Sequence, residues 1–125
     1  MTQTTLESIS PVFGVHDLSR ALQFYQDTLG FDVAWTWGEP ATLASICRDA
    51  VEITLAQRAD ARPAGPSRAS IRVSGIDAWH QRMTQAGADI VVPIGNRHYG
   101  LRDFRVADPD GNQIDIGQVI EGESE

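Results

Sequence analysis

Residues 9–31, ISPVFGVHDLSRALQFYQDTLGF, predict a short strand followed by an amphipathic helix. The strand is expected over residues 9–15, and the side chain of Asp17 or Ser19 can cap the helix by accepting from its first N–H groups. Gly30 suits the left-handed backbone on which helices commonly end. Between these ends, apolar residues recur at helical spacing: Leu18, Ala21, Leu22, Tyr25 and Leu29. The stretch therefore predicts a helix that buries one face against a sheet.

Three more strands are predicted before the middle of the chain. Residues 31–37, 41–48 and 51–56 are rich in strand-forming residues, and turn-forming residues separate them at positions 38–40 and 49–50. The first half of the chain thus has the order β-α-β-β-β.

The second half repeats this order after a predicted linker at residues 58–67, which is rich in small residues and contains two prolines. Pro93 is expected to end one of the new strands. Equivalent positions such as Val15 and Val73 lie 58 residues apart, which indicates two copies of one supersecondary unit. The predicted elements are a helix at 76–86 and strands at 68–74, 89–92, 101–107 and 112–119.

The repeat predicts the α+β class and a single domain, residues 1–125, built from two tandem βαβββ modules that form an open, concave sheet. The modules are expected over residues 8–57 and 68–119, with an acidic tail over residues 120–125. Neither module alone can bury its helix against enough sheet, so the two should pack as a pair.

Strand parity predicts which side chains lie on the open face, meaning the sheet face turned away from the helices. In residues 51–55 the odd positions are apolar and belong against the helix, so Glu52 belongs on the open face. The same alternation places three further polar side chains there: Ser10, Arg68 and Asp115.

Two tryptophans occupy one predicted strand. Trp35 and Trp37 share the parity of Phe31 and Val33, which favours the core or a contact between subunits for both rings. A bulge near Ala34 would instead turn both rings to the open face, where they would form the aromatic wall of a pocket. The sequence leaves both arrangements open.

Composition limits the classes of partner. The chain has 10 basic and 17 acidic residues and a formal net charge of −7, which opposes binding to nucleic acid or an anionic membrane and mildly favours a cationic ligand. Every basic residue is arginine, so no lysine amine can form a Schiff base with a carbonyl compound. The single Cys47 allows no internal disulfide, and no stretch reaches the ~18 apolar residues of a membrane span. We therefore expect a cytoplasmic protein.

Three segments carry a resemblance to a known family. DLSRALQFYQDTLGF (17–31), YGLRDF (99–104) and DPDGN (108–112) resemble the glyoxalase/bleomycin resistance/dioxygenase family, also called the vicinal oxygen chelate superfamily. The resemblance spans residues 8–119. It implies paired βαβββ modules, a homodimer, and a cleft that holds a small molecule.

The resemblance also implies where a catalytic metal would lie. The family's metal-dependent enzymes place one ligand, usually His or Glu, on each of four open-face strands. A serine hydroxyl is a poor neutral ligand, and a guanidinium cannot coordinate a cation. We therefore predict no metal and no other cofactor, with Arg68 supplying its positive charge either to a ligand or to a structural ion pair beside the carboxylates. The four positions in this chain are Ser10, Glu52, Arg68 and Asp115.

Without a metal, the chain is most similar to the bleomycin-resistance branch, whose members sequester a planar, cationic antibiotic. Tyr99 stands at the first position of that branch's Trp-Gly-x-Arg-x-Phe motif and is expected to stack on the ligand. Arg102 takes the motif's arginine and is expected to brace the loop, in which His98 also lies. The resemblance thus implies antibiotic resistance by stoichiometric binding, with no catalytic residue. The predicted ligand-binding residues are Ser10, Trp35, Trp37, Glu52, Arg68, His98, Tyr99, Arg102 and Asp115.

Two enzymatic alternatives stay open. The first is a metal-dependent glyoxalase, lyase, isomerase or dioxygenase that uses Glu52 and Asp115 together with a further ligand, such as a histidine from a loop. The second is a metal-free proton transfer in which one of these two carboxylates acts as the general base.

Overall fold

Two four-stranded sheets form the structure, a computed structural model that describes residues 3–58 and 67–120. In the first module, strand β1 (Val12–Val15) leads to helix α1 (Leu18–Gln23). This helix continues as a π-helical turn, Phe24–Thr28. Strands β2, β3 and β4 follow at Asp32–Gly38, Ala41–Arg48 and Val51–Gln57.

The second module repeats this order. Strand β5 (Arg68–Arg72) is followed by helix α2 (Ile76–Gln85), and then by β6 (Asp89–Asn96), β7 (Leu101–Ala107) and β8 (Gln113–Val119). The α+β class and the βαβββ order are therefore confirmed. Most of the predicted linker and acidic tail, residues 59–66 and 121–125, lies outside the described residues.

The two sheets have the same topology. Sheet A has the strand order β1-β4-β3-β2, and sheet B has the equivalent order β5-β8-β7-β6. The first strand of each module runs parallel to the last, and the other neighbours are antiparallel. The connection between these two parallel strands is long, and it contains the helix and the other two strands of the module.

A single core lies between the modules. Ile53 and Leu55 of β4, Ile114 and Ile116 of β8, and apolar residues of both helices belong to one buried cluster. Since the helix-facing sides of both sheets contribute to this core, each open face is directed away from it. The surfaces open to a ligand are therefore the two outward faces and the edges of the module junction.

The DPDGN turn joins the two modules. Gly111 has φ +89, the left-handed backbone expected of the turn's glycine. Asn112 is fully buried, and its Nδ2 donates to the carbonyl of Gly14 in β1 at 2.9 Å. The hydroxyl of Tyr25 donates to the Asp108 carboxylate, also at 2.9 Å. The turn thus binds the helix and the first strand of the other module.

Pro93 does not end a strand, contrary to the sequence-based expectation, because β6 continues from Asp89 to Asn96. β6 is an edge strand of sheet B, so the N–H group that proline lacks is not needed for a second neighbour. The ladder with β7 shifts register between Val92 and Gly95, which accommodates the ring.

Neither of the described helices has the length and apolar character that a bilayer span requires.

Candidate functional site

The open face of sheet A carries both tryptophans of β2. The register of β2 against β3 shifts between Val33 and Trp35, so a bulge reverses the parity of the residues that follow. Trp35 pairs with Ser45, which pairs on its other side with Thr54 of the open face. The core position favoured by simple parity is therefore wrong. Trp35 is 44% exposed and Trp37 is 67% exposed.

Ser10 and Glu52 lie on the same open face. The hydroxyl of Ser10 is 3.0 Å from the hydroxyl of Thr54, and the Glu52 carboxylate accepts a 2.5 Å hydrogen bond from Ser45. Ser45 is fully buried, whereas Cys47, the cross-strand partner of Glu52, is half-buried. The Glu52 carboxylate is therefore held by a buried hydroxyl. No cationic side chain among the described residues binds it.

Asp115 binds two arginines on the open face of sheet B. Nε of Arg68 donates to one carboxylate oxygen at 2.7 Å, and Nε of Arg105 donates to the other at 2.6 Å. Burial raises the pKa of Asp115, but the hydrogen bonds and charges of Arg105 and Arg68 outweigh burial and hold this pKa below its ordinary value. Asp115 is therefore ionised at neutral pH.

A second carboxylate on this face binds an arginine and a tyrosine. Asp103 accepts from Nε of Arg97 at 2.7 Å and from the hydroxyl of Tyr99 at 2.5 Å. The hydrogen bond to Asp103, followed by burial, raises the pKa of Tyr99, so this hydroxyl stays protonated at neutral pH. The Tyr99 ring is 57% exposed and remains accessible for stacking.

These side chains line a cavity of about 230 Å³ on sheet B. Three arginines and two aspartates contribute, which leaves one positive charge in excess at neutral pH. The wall of sheet B is thus locally cationic although the whole chain is acidic. The lining residues are Arg68, Ser70, Val92, Arg97, Tyr99, Asp103, Phe104, Arg105 and Asp115.

Two of the residues predicted in the second module lie outside this cavity. Arg102 points to the helix side of β7, where its Nη2 donates to Asp77 of α2 at 2.7 Å and its Nη1 to Asn96 at 3.1 Å. Arg102 therefore ties β7 to α2. His98 is exposed, and its ring lies 5.2 Å from that of Tyr99.

The predicted residues fall into two groups on different sheets. Ser10 and Glu52 lie with the tryptophans on sheet A, whereas Arg68 and Asp115 lie on sheet B. Within the described ranges, no ion pair or hydrogen bond joins Glu52 to Arg68. Arg68 was expected beside both carboxylates. Within the single chain it lies beside Asp115 and not beside Glu52.

A larger cavity of about 500 Å³ lies where the β3–β4 turn meets β5 and α2. Phe31 and Ile71 contribute apolar surface, and the Arg48 guanidinium lies 5.1 Å from the centre of the Trp79 ring. Nε1 of Trp79 donates to the carbonyl of Leu29 at 2.9 Å, which fixes the ring. None of the predicted ligand-binding residues lines this cavity.

Comparison with known proteins assigns the family. The model of the Glyoxalase/Bleomycin resistance protein/Dioxygenase superfamily matches residues 8–116. The chain belongs to this superfamily. No curated protein is significantly similar to it in sequence.

Solved structures share the superfamily fold at low sequence identity. TioX from Micromonospora sp. ML1 has a TM-score of 0.80 and 21% identity, over 91% of this chain and 100% of TioX. The bleomycin-binding protein from Streptomyces verticillus, solved with copper(II)-bleomycin, has a TM-score of 0.77 and 24% identity, over 95% and 100%. A superfamily member from Sphaerobacter thermophilus has a TM-score of 0.76 and 23% identity, over 90% of this chain and 98% of that protein. These likenesses show the fold alone.

The four residues that the resemblance places at metal positions do not fit a divalent ion. Arg68 donates to the Asp115 carboxylate, and a guanidinium repels a nearby cation. On sheet A, the Glu52 carboxylate accepts a hydrogen bond from Ser45 of the same sheet. Across residues 3–58 and 67–120, no three His, Cys, Asp or Glu side chains are grouped closely enough to hold a metal.

Three charged residues of the cavity, Arg97, Asp103 and Arg105, are not among the residues predicted from the sequence. In β7, Leu101, Asp103 and Arg105 alternate with residues that face the helices, such as Phe104. Parity applied to this strand would have placed Asp103 and Arg105 on the open face. The motif arginine, Arg102, lies on the opposite side of this strand, against α2.

Proposed function

We propose that the protein binds a planar small molecule without chemically changing it, in a cleft formed by two copies of the chain. The exposed Trp35 and Trp37 rings carry this proposal. Large aromatic side chains side by side on an open sheet are an unusual load of exposed apolar surface, and such patches mark binding sites or interfaces. Their flat faces suit stacking on an aromatic ligand.

The cleft needs a second copy because the two walls of one chain face away from their shared core. The aromatic wall lies on sheet A, and the charged wall with Tyr99 lies on sheet B. A twofold dimer that sets sheet A of one copy against sheet B of the other forms two equivalent clefts and covers the apolar wall. Each cleft then has one aromatic wall and one polar wall.

Sequestration follows from these walls. Stacking and apolar burial supply affinity, and the ion pairs on sheet B give orientation. The described residues include no metal-binding group of side chains, and both Glu52 and Asp115 already accept hydrogen bonds from neighbouring side chains, which favours binding over general-base catalysis. If the ligand is an antibiotic, as in the copper(II)-bleomycin complex of the Streptomyces verticillus protein, its capture confers resistance.

The charges at the site change which ligand charge is expected, compared with the expectation from composition. A net charge of −7 favours a cation at long range. At contact distance, however, the cavity of sheet B has three guanidiniums and two carboxylates. Contact charges outweigh distant ones because salt screens charges separated by more than ~10 Å. The experiment must therefore include planar ligands of each charge.

Calorimetric titration tests the proposed function. The panel consists of acridine orange, 2-naphthamide, 2-naphthoate and copper(II)-bleomycin, with cyclohexanecarboxamide as the non-planar control. We expect saturable binding of at least one planar compound, recovery of that compound unchanged, and no heat from the control. Protein purified without chelator should contain no stoichiometric Ni, Zn, Mn or Fe. No binding across the planar set, or conversion of a bound compound, would contradict the proposal.

A further inference from the structure

The Asp115 carboxylate on sheet B is shared by two guanidiniums. Arg68 and Arg105 come from strands on either side of β8, and each donates its Nε to a different oxygen of Asp115. One negative charge thus holds two positive charges. One of these arginines would be enough to form a structural ion pair with Asp115. An ion pair alone therefore does not account for the second arginine.

The terminal nitrogens of both guanidiniums have no acceptor within the described part of the chain. Each guanidinium carries five N–H donors, and Asp115 accepts from the Nε of each. Arg97 is different, since it also donates through Nη2 to backbone carbonyls of Pro93 and Asp103. Two planar, charged donor groups are therefore fixed at one end by Asp115, and their terminal N–H groups have no protein acceptor among the described residues.

These donors border the cavity of about 230 Å³. The Arg68 side chain is 58% exposed, whereas Arg105 is only 27% exposed. The hydroxyl-bearing Ser70 is the cross-strand neighbour of Asp115 and lines the same cavity. An anion entering here meets one excess positive charge and several directed donors.

We propose that Arg68 and Arg105, aligned by Asp115, bind one oxyanion group of the ligand, either a carboxylate or a phosphate. Charge-assisted, forked hydrogen bonds from guanidinium to such groups are among the strongest in proteins. Fixing Nε on Asp115 removes part of the side-chain entropy that binding would otherwise cost.

This inference rests on the proposed function and deepens it. If the aromatic wall of one copy faces the arginine wall of another, the ligand class is a planar aromatic acid or aryl phosphate. The ring stacks on the tryptophans and the oxyanion lies between the guanidiniums. The expectation of a cationic ligand, taken from net charge, is then reversed by the charges within the cavity.

The test compares 2-naphthoate with its neutral isostere 2-naphthamide by calorimetry, in the wild type and in Arg68→Gln. We expect the wild type to prefer the carboxylate by about 10- to 100-fold, as charge-assisted hydrogen bonds allow. Arg68→Gln should remove most of that preference. Arg72→Gln is the matched control, because Arg72 lies on the same strand and the same face but does not line this cavity. This control should keep the preference.

Several outcomes separate this inference from the proposed function. Equal binding of both compounds by the wild type, or a preference that survives in both Arg68→Gln and Arg105→Gln, overturns the oxyanion site and leaves planar binding standing. A carboxylate preference that is unaffected by loss of the tryptophans supports the oxyanion site and overturns the stacking cleft. Comparing the affinities of 2-naphthoate and 1-naphthyl phosphate identifies the preferred oxyanion. Competition by inorganic phosphate confirms that the site binds an anion even without an aromatic ring.

Discussion

Replacing Asn112 by alanine should lower the free energy of unfolding by about 2–4 kcal/mol, since buried hydrogen bonds lost without replacement cost ~1–3 kcal/mol each and are not fully additive. Asn112 is fully buried. Its Nδ2 donates to the Gly14 carbonyl and to the Asp108 carboxylate, both at 2.9 Å, and its Oδ1 accepts from the N–H of Ser67 at 3.1 Å. Alanine leaves the Gly14 carbonyl and the Ser67 N–H without these partners and removes one of the hydrogen bonds to Asp108. Equilibrium unfolding in urea measures the loss.

Tyr25→Phe is the matched control for this network. It removes only the hydroxyl that donates to Asp108, which keeps its hydrogen bonds from the N–H groups of Asp110 and Asn112. The expected loss is about 1–2 kcal/mol. A stability of Asn112→Ala within about 0.5 kcal/mol of the wild type, the range of an ordinary surface substitution, would show that the turn does not join the modules.

Removing the Trp37 ring should weaken binding of the best planar ligand by about 10- to 100-fold, the loss typical of an aromatic anchor in a binding site. The ring is 67% exposed in the single chain, so Trp37→Ala should leave the stability of the folded chain nearly unchanged. Calorimetric titration of the variant measures the loss. Trp35→Ala, at 44% exposure, should act in the same direction.

Trp79→Phe is the control for the cavity at the module junction. It removes the Nε1 donor to Leu29 and should reduce stability while leaving ligand affinity unchanged. Weaker ligand binding by Trp79→Phe, together with unchanged binding by Trp37→Ala, would place the ligand in the junction cavity of about 500 Å³ and contradict the proposed cleft.

Much of the fold could be predicted because the chemistry of its elements is local. The limits of β3 (Ala41–Arg48) and β7 (Leu101–Ala107) follow directly from turn residues and apolar alternation. Pro93 misled because a proline is tolerated wherever a strand has only one neighbour, and single-strand patterns do not show which strand is at the edge. The bulge before Trp35 misled for a similar reason, because it is defined by pairing with β3.

The site was predictable in part. Parity placed Glu52 and Arg68 on open faces, but parity identifies a face of one sheet and says nothing about which sheets oppose each other. The two residues consequently lie on different sheets of the single chain. Net charge was a poor guide, because Arg68, Arg97 and Arg105 gather on one wall of an acidic protein.

Mixing two defective variants tests the shared cleft most directly. Trp37→Ala removes the more exposed ring of the aromatic wall on sheet A, and Ser70→Trp fills the opposite wall on sheet B, where Ser70 is exposed. Each variant alone should be a dimer by light scattering and bind poorly. Unfolded, mixed and refolded together, they should recover about a quarter of the wild-type sites, because half of the dimers are mixed and each contains one intact cleft. Mixed dimers that regain no binding would contradict a cleft built from two copies.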